Sequence, residues 1–267
     1  MYSKVLIPVQ VPSEVEPLIR FATQFLEADG EIRVLHVIPS TTLPEVTREW
    51  RSSVNLVVPA HEAAAALDVR VDPEVRASTD VPGEILDSAE THGVDAILMT
   101  LRGDKRSRNP FVGHTASGIL HHAHADVLIV NRLALAAEKV PRIVLPSFRA
   151  APVPKAMQLA EEIALKQGGT PVTTIAIAGS DDAGQGNEVR DETTPRGIEI
   201  AHKRAVVGGS LRHGRLPTMI LQAAQRERFG LVLVSEEGDR AGGALLTRRF
   251  LEELFRAAPC PVLALRG

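Results

Sequence analysis

The chain is written twice. Lys4-Val5-Leu6-Ile7-Pro8 returns as Arg142-Ile143-Val144-Leu145-Pro146, and Asp126-Val127-Leu128-Ile129-Val130 returns as Pro261-Val262-Leu263-Ala264-Leu265. The offset is 138 residues at the start of the repeat and 135 at its end. A nearly constant offset across a whole half marks a duplicated folding unit. The chain is therefore expected to form domains at residues 1–135 and 139–267, with the boundary around Leu133–Val140.

Each half alternates strand and helix patterns. Residues 4–9 are a short β-branched apolar run, read as a buried strand. Ser13 is positioned to cap a helix whose Val15, Leu18, Ile19, Ala22 and Phe25 or Leu26 keep the helical period, with Gly30 as its stop. Ile32–Ile38, Val69–Ala77, Val94–Thr100 and Val127–Val130 read as strands. Residues 42–67 are less regular and end in an Ala-rich helix; Pro82 and Gly83 open a helix over Glu84–His92, and another covers Thr115–His124. The second half repeats the order, with strands at Ile143–Leu145, Val172–Ala178, Ile198–Val207 and Leu231–Ser235 before a closing strand. Its helices fall at Val153–Lys166, ended by Gly168, then Pro217–Arg228 and Leu245–Ala257. Ser180–Arg196, polar and rich in Gly and Asp, reads as a mobile loop where the first half has its Ala-rich helix. Apolar strands without alternation mean parallel sheets covered on both faces, an α/β fold.

Composition limits the function. Hydrophobic residues make up 44% of the chain and aromatics only 3%, so the cores rest on aliphatic side chains. A net charge of −3 argues against a dedicated nucleic-acid binder. Cys260 is the single cysteine, which excludes an intrachain disulfide and suits a reducing compartment. No signal-peptide pattern and no apolar run of 18 residues is present. The expectation is a cytoplasmic protein without membrane insertion.

In a parallel α/β sheet, ligands bind beyond the carboxyl ends of the strands. The loop after the fourth strand reads Thr100-Leu101-Arg102-Gly103, then nine residues, then Gly113-His114-Thr115 opening a helix. A glycine before a helix N-terminus suits phosphate, because free N–H groups and the positive end of the helix dipole meet there. With the Lys-Val-Leu-Ile-Pro-Val start, Val34-Leu35-His36-Val37 and the closing Ala258-Pro259-Cys260-Pro261-Val262-Leu263, nearly the whole chain resembles the universal stress protein family in its tandem form.

The resemblance implies two Rossmann-like domains of the adenine-nucleotide alpha-hydrolase type, each with a five-stranded parallel sheet in the order 3-2-1-4-5. ATP-binding members carry Gly-x2-Gly-x9-Gly-Ser/Thr after the fourth strand and an Asp at the end of the first. Here Thr100 replaces the first glycine, Gly103 and Gly113 match, His114 takes the hydroxyl position with Thr115 next, and Gln10 replaces the Asp. The implied site for ATP or another adenine nucleotide is Pro8, Val9, Gln10, Val37, Met99, Thr100, Gly103, Gly113, His114 and Thr115. Val9, Gln10 and Val37 would border adenine, and Gly103, Gly113, His114 and Thr115 would hold phosphates. The second half has Ser235-x2-Gly238, then Arg248-Arg249 at the Gly and Ser/Thr positions, and Phe148 at the Asp position, which reads as a lost site.

Other residues carry less. His114, His121, His122 and His124 crowd one helix, but no carboxylate or thiol at ligand spacing joins them, so no metal is expected. Arg102, Lys105, Arg106 and Arg108 fit either a phosphate screen or a solvated loop. Glu84, Asp87 and Glu90 read as a solvated face, and Cys260 as a small core residue. Ser210 and His213 are neighbours in sequence only. No Gly-x4-Gly-Lys-Ser/Thr loop or Gly-x-Ser-x-Gly elbow occurs, so no enzyme is expected beyond slow incidental ATP hydrolysis. Two readings fit: a stress-response protein binding an adenine nucleotide, and a nucleotide-free regulatory module acting on a membrane transporter. The resemblance also implies a homodimer.

Overall fold

Val5, Leu6 and Ile7 have no exposed surface, as a strand covered on both faces requires. They belong to β1 (Tyr2–Pro8) in a computed structural model that describes residues 1–103, 110–111, 113–147, 154–178, 190–206, 216–227, 230–235 and 247–266. These group into two compact units: Met1–Leu101 with Val112–Ile129, and Val130–Arg266 with Arg102–Phe111.

In the first unit β1 leads through a short 3-10 turn, Pro12–Glu14, into α1 (Val15–Ala22), β2 (Leu26–Ile38), α2 (Leu43–Leu67), β3 (Arg70–Ala77), α3 (Val81–Thr91) and β4 (Ala96–Thr100). The paired residues 102–103 and 110–111 form β5 (Arg102–Gly103) and β6 (Pro110–Phe111), before α4 (His114–His122) and β7 (Asp126–Val130). The unit's strands lie in the order β3-β2-β1-β4-β7. β1 pairs in parallel with β2 and β4, setting Pro8 opposite Leu35 and Leu6 opposite Ile97.

Three local expectations fail here. Ser13 lies in the 3-10 turn and does not cap α1, whose N-cap is Glu14 without a side-chain bond. Gly30 does not stop α1, which ends at Ala22; it lies within β2. Tyr2 is opposite Leu26 but Lys4 is opposite Glu31, so β2 bulges between them. Gly30 sits in that bulge, where a Cβ would come within 2.6 Å of Leu26 Cγ. Phe25, fully buried in the preceding turn, meets Tyr2 edge-on at 5.8 Å. Finally, residues 43–67 form one continuous helix of 25 residues with Pro59 inside it. Its buried face, Leu56, Ala60 and Ala63, holds it together where the surface pattern does not announce a helix.

A polar latch closes the amino edge of this sheet. Asp95 Oδ2 accepts from Ser3 N at 2.7 Å, Ser3 Oγ at 2.6 Å and Lys4 N at 2.8 Å. Burial works to raise this carboxyl's pKa, but the hydrogen bonds outweigh it and hold the pKa below its ordinary value. A lowered folded-state pKa gives stability that is present above the unfolded value and is lost as pH falls through the folded value. Asp95→Asn is therefore expected to destabilise the protein at neutral pH. The gap to the parent should narrow below about pH 4, which urea titrations over a pH series would read.

The second unit runs through α5 (Arg132–Ala136), β8 (Ile143–Ser147), α6 (Pro154–Lys166), β9 (Val172–Ala178), β10 (Arg190–Thr193) and β11 (Glu199–Val206). It continues with α7 (Leu216–Arg226), β12 (Leu231–Ser235), α8 (Arg248–Ala257) and β13 (Val262–Arg266). Its strands lie in the order β10-β11-β9-β8-β12-β13. β10 corrects the reading of Ser180–Arg196 as a loop: Arg190–Thr193 pairs antiparallel with β11, and Thr194–Gly197 turns between them with Gly197 at φ +82°. Arg196 forms a fork on the buried Glu162 of α6, one arm being Nη2 to Oε2 at 3.1 Å. Charged residues on an edge strand hide it from a reading based on apolar period. Residues 180–189 lie outside the described residues.

Between the repeats Asn131 caps α5 and reaches the start of β13. Its Oδ1 accepts from Ala134 N at 2.9 Å and Val262 N at 3.0 Å, and its Nδ2 donates to Cys260 O at 2.9 Å.

Candidate functional site

The β1–β2 and β1–β4 pairings bring the ends of three strands to one edge of the first unit. Pro8, Val9 and Gln10 leave β1 there, Val37 approaches the end of β2, and Met99 and Thr100 finish β4. Val9, Val37 and Met99 are buried at 5–7% exposure, Thr100 is half-buried and Gln10 is exposed. The edge is thus an apolar floor with a polar amide at its rim.

Two bonds fix the turn out of β1. Val9 N donates to Leu35 O at 2.9 Å, continuing the ladder one residue beyond the strand. The buried His36 donates from Nδ1 to Val9 O at 3.0 Å, since a carbonyl can only accept. His36 therefore orients the residue before Gln10, a role the sequence reading missed. Its apolar neighbours Leu35 and Val37 mark a buried strand, but only the fold shows which carbonyl the ring meets.

α4 begins at the same edge. Asp126 N bonds Asp95 O at 3.0 Å, so β7 starts beside the start of β4, and α4 runs back from the carboxyl edge to reach it. Gly113 is the N-cap at φ −64°, ψ 171°, with no side-chain cap. The first bond within the helix is Ser117 N to Gly113 O at 3.0 Å, leaving the N–H groups of His114, Thr115 and Ala116 without acceptors inside α4. A Cβ on Gly113 would meet nothing within 4 Å. Among the described residues, neither the backbone angles nor the packing requires glycine here.

The second unit differs at the equivalent point. α8 starts at Arg248, and its N-cap is Thr247 at φ −68°, ψ 157°. Thr247, not Arg248, thus corresponds to Gly113, which corrects the alignment by one residue. Its Oγ1 accepts from Phe250 N at 3.3 Å. Arg248 and Arg249 lie in the first turn and pair along the helix with Glu252 at 3.0 Å and Glu253 at 2.8 Å. The helix's own glutamates offset the unfavourable placement of two cations at its positive end. Phe148, Gly238, Gly242, Gly243, Ser210 and His213 lie outside the described residues.

Gly103 pairs with Pro110 in the small β5–β6 ladder, which groups with the second unit. The expected long open loop therefore has paired ends; Lys105, Arg106 and Arg108 lie outside the described residues.

The remaining candidates have structural partners. Glu84, read as part of a solvated face, is only 25% exposed and bonds Arg76 at 2.8 Å, which corrects the reading there, whereas Asp87 reaches Arg76 at 3.3 Å and stays 70% exposed. The Glu84 hydrogen bond helps hold Arg76 charged. His121 donates from Nδ1 to Ser117 O at 2.7 Å. Among the described residues no group of three or more His, Cys, Asp or Glu is placed to hold a metal, and no helix is long and apolar enough to cross a membrane. Cys260 is buried, and burial pushes its thiol up to about 11, far from the range of a reactive thiolate.

A model described as the Universal stress protein family matches residues 1–131. The fold of the whole chain is similar to that of a universal stress protein from Archaeoglobus fulgidus DSM 4304, at 16% identity and a TM-score of 0.65, covering 98% of this chain and 95% of that one. It is similar also to a putative universal stress protein from Pseudomonas aeruginosa UCBPP-PA14, at 12% identity, TM-score 0.59, and coverage of 99% and 93%. A third likeness, at 12% identity, TM-score 0.54 and coverage of 99% and 95%, is to the cytoplasmic domain of a prokaryotic cation chloride cotransporter. No curated protein matches the chain.

Proposed function

We propose, from the premise that the chain belongs to the universal stress protein family through residues 1–131, that it is a cytoplasmic stress-response protein whose first unit binds ATP or a related adenine nucleotide. The observation that carries this reading is the contrast between the two helix starts. α4 has no side-chain cap, and a Cβ on its N-cap glycine would meet nothing among the described residues, while α8 carries its own hydroxyl cap. An uncapped helix N-terminus behind a glycine is suited to phosphate. The apolar floor of Val9, Val37 and Met99 would take the base, with the Gln10 amide at its edge.

The role we propose is binding rather than catalysis. Occupancy would change the surface offered to a partner, and the partner we propose first is a second copy of the chain. The nucleotide-free alternative, a module acting on a transporter, draws support from the full-length likeness to a cotransporter's cytoplasmic domain. It also draws support from Gln10 and Thr100, which stand where ATP-binding members carry Asp and Gly.

Calorimetry with ATP, together with nucleotide analysis of the purified protein, tests the reading. Gly113→Val should weaken ATP binding at least about 10-fold by filling the space before α4. The fold should survive: the backbone angles suit valine, nothing obstructs its Cβ, and the poorer cap costs only about 1 kcal/mol. A protein purified without nucleotide and indifferent to millimolar ATP would overturn this reading and leave the transporter module.

A further inference from the structure

The parallel ladder between β1 and β2 stops one bond early. Pro8 lies opposite Leu35, and Val9 N donates to Leu35 O at 2.9 Å. In a parallel ladder the next bond runs from Val37 N to Val9 O. That bond is not formed. The registered pairing ends at Pro8, and Val9 O accepts instead from Nδ1 of the buried His36 at 3.0 Å.

Val37 has no substitute partner in β3. Ile38 O accepts from Ser78 N at 3.0 Å, so Ile38 and His36 are the residues bonded to β3. The main-chain groups of Leu35 and Val37, which alternate with them, face β1. Val37 is 7% exposed, and among the described residues neither its N–H nor its C=O meets a main-chain partner. Buried main-chain groups are nearly always paired, so such an open pair marks a place for a ligand group.

We propose that His36 is a positioning residue of the nucleotide crevice: by holding the Val9 carbonyl it keeps β1 from zipping onto Val37, and so leaves the Val37 N–H open to an acceptor atom of the ligand. The inference rests on the nucleotide reading above and deepens it, because it makes the opening of the crevice depend on one side-chain bond. One step on in register from Pro8 and Leu35, Val9 and His36 are neighbours across the ladder. A strand side chain stands roughly perpendicular to the sheet, so a bond to the imidazole draws the Val9 carbonyl out of the plane in which Val37 N lies. The donor must also sit at one distance from the strand. Nδ1 is bonded to Cγ, as is the amide nitrogen of asparagine, whereas the amide of glutamine lies one bond further out, near the place of Nε2.

Amide hydrogen exchange of the ligand-free full chain, followed by NMR, and calorimetry with ATP test this. In the parent the Val37 N–H should exchange at least ~10-fold faster than the Val9 N–H, which is bonded within the ladder. His36→Phe removes the donor and frees Val9 O to accept from Val37 N. Exchange at Val37 should then slow about 10-fold, and ATP should bind about 10-fold more weakly for want of one hydrogen bond. His36→Gln should behave like His36→Phe, and it serves in its place if the phenylalanine ring does not fit. His36→Asn should keep both readouts within about 3-fold of the parent, since it returns a donor to the position of Nδ1.

A Val37 N–H as slow in the parent as in His36→Phe would overturn the inference, whatever the affinity for ATP. An asparagine variant that lost ATP along with the other two would overturn it as well, and would mark His36 as a packing residue. A parent that ignored ATP, while its Val37 N–H exchanged fast and slowed in His36→Phe, would overturn the nucleotide reading and leave His36 as the residue that holds β1 and β2 apart.

Discussion

Gly230→Ala is expected to destabilise the protein by about 2–3 kcal/mol, at the upper end of what a single added methyl costs in a packed core. The methyl would lie 2.1 Å from the carbonyl oxygen of Arg142 and 2.8 Å from its carbonyl carbon. Both are backbone atoms, so no rotamer change relieves the clash. That oxygen also accepts from Leu231 N at 3.0 Å, the bond that starts β12 alongside β8. Moving the Arg142 carbonyl aside therefore breaks the ladder that sets Leu231 opposite Ile143. The Arg142 side chain is tied as well, to Glu227 at 3.2 Å. Urea unfolding reads the loss as a lower midpoint, and Gly113→Ala, where a Cβ meets nothing, is the control. A Gly230→Ala protein within about 0.5 kcal/mol of the parent would show that β8 and β12 approach less closely than described.

Asn131→Leu should cost about 3 kcal/mol, although leucine matches asparagine in size. Asn131 is 8% exposed, and its amide serves three main-chain groups: Ala134 N, Val262 N and Cys260 O. Leucine leaves Val262 N and the Cys260 carbonyl without their partner, at about 1–3 kcal/mol each and less than additively, while Ala134 N keeps the main-chain oxygen of residue 131 at 3.1 Å. Asn131→Asp separates the parts, since a carboxylate still accepts from the two N–H groups but cannot donate to the Cys260 carbonyl. It should fall between parent and leucine variant in a thermal melt. If the leucine variant melted with the parent, the bonds of Asn131 to β13 would not be contributing to stability.

Both predictions depend on contacts that a linear reading cannot see. Gly230 meets Arg142 across paired strands, and Asn131 meets residues 129 and 131 positions away. The apolar runs were legible because a strand buried on both faces needs every residue apolar: Val5–Ile7 and Leu231–Val234 announce themselves. Elements with mixed chemistry were not. Gly30 suits a helix stop and a bulge equally well, and only the pairing of Tyr2 with Leu26 decides for the bulge. β10 is Arg-Asp-Glu-Thr, whose ladder bonds come from the main chain and leave no trace in side-chain pattern.

The candidate site shows the same division. Pro8, Val9, Met99 and Thr100 were readable from where strands end, and Gly113 from where a helix starts. The identity of the matching cap in the repeat, one residue from the aligned position, was not. Nor was the hold of His36 on the Val9 carbonyl.

The hydroxyl of Thr247 works as a tethered ligand for its own helix. Attached three residues from the N–H it binds, it acts at an effective molarity that a freely diffusing millimolar anion does not match. The start of α8 thus has one of its N–H groups taken by its own chain, while the start of α4 has no side-chain cap. On the reading proposed above, the duplication leaves a chain with one arm closed on itself and one arm that a ligand could adjust.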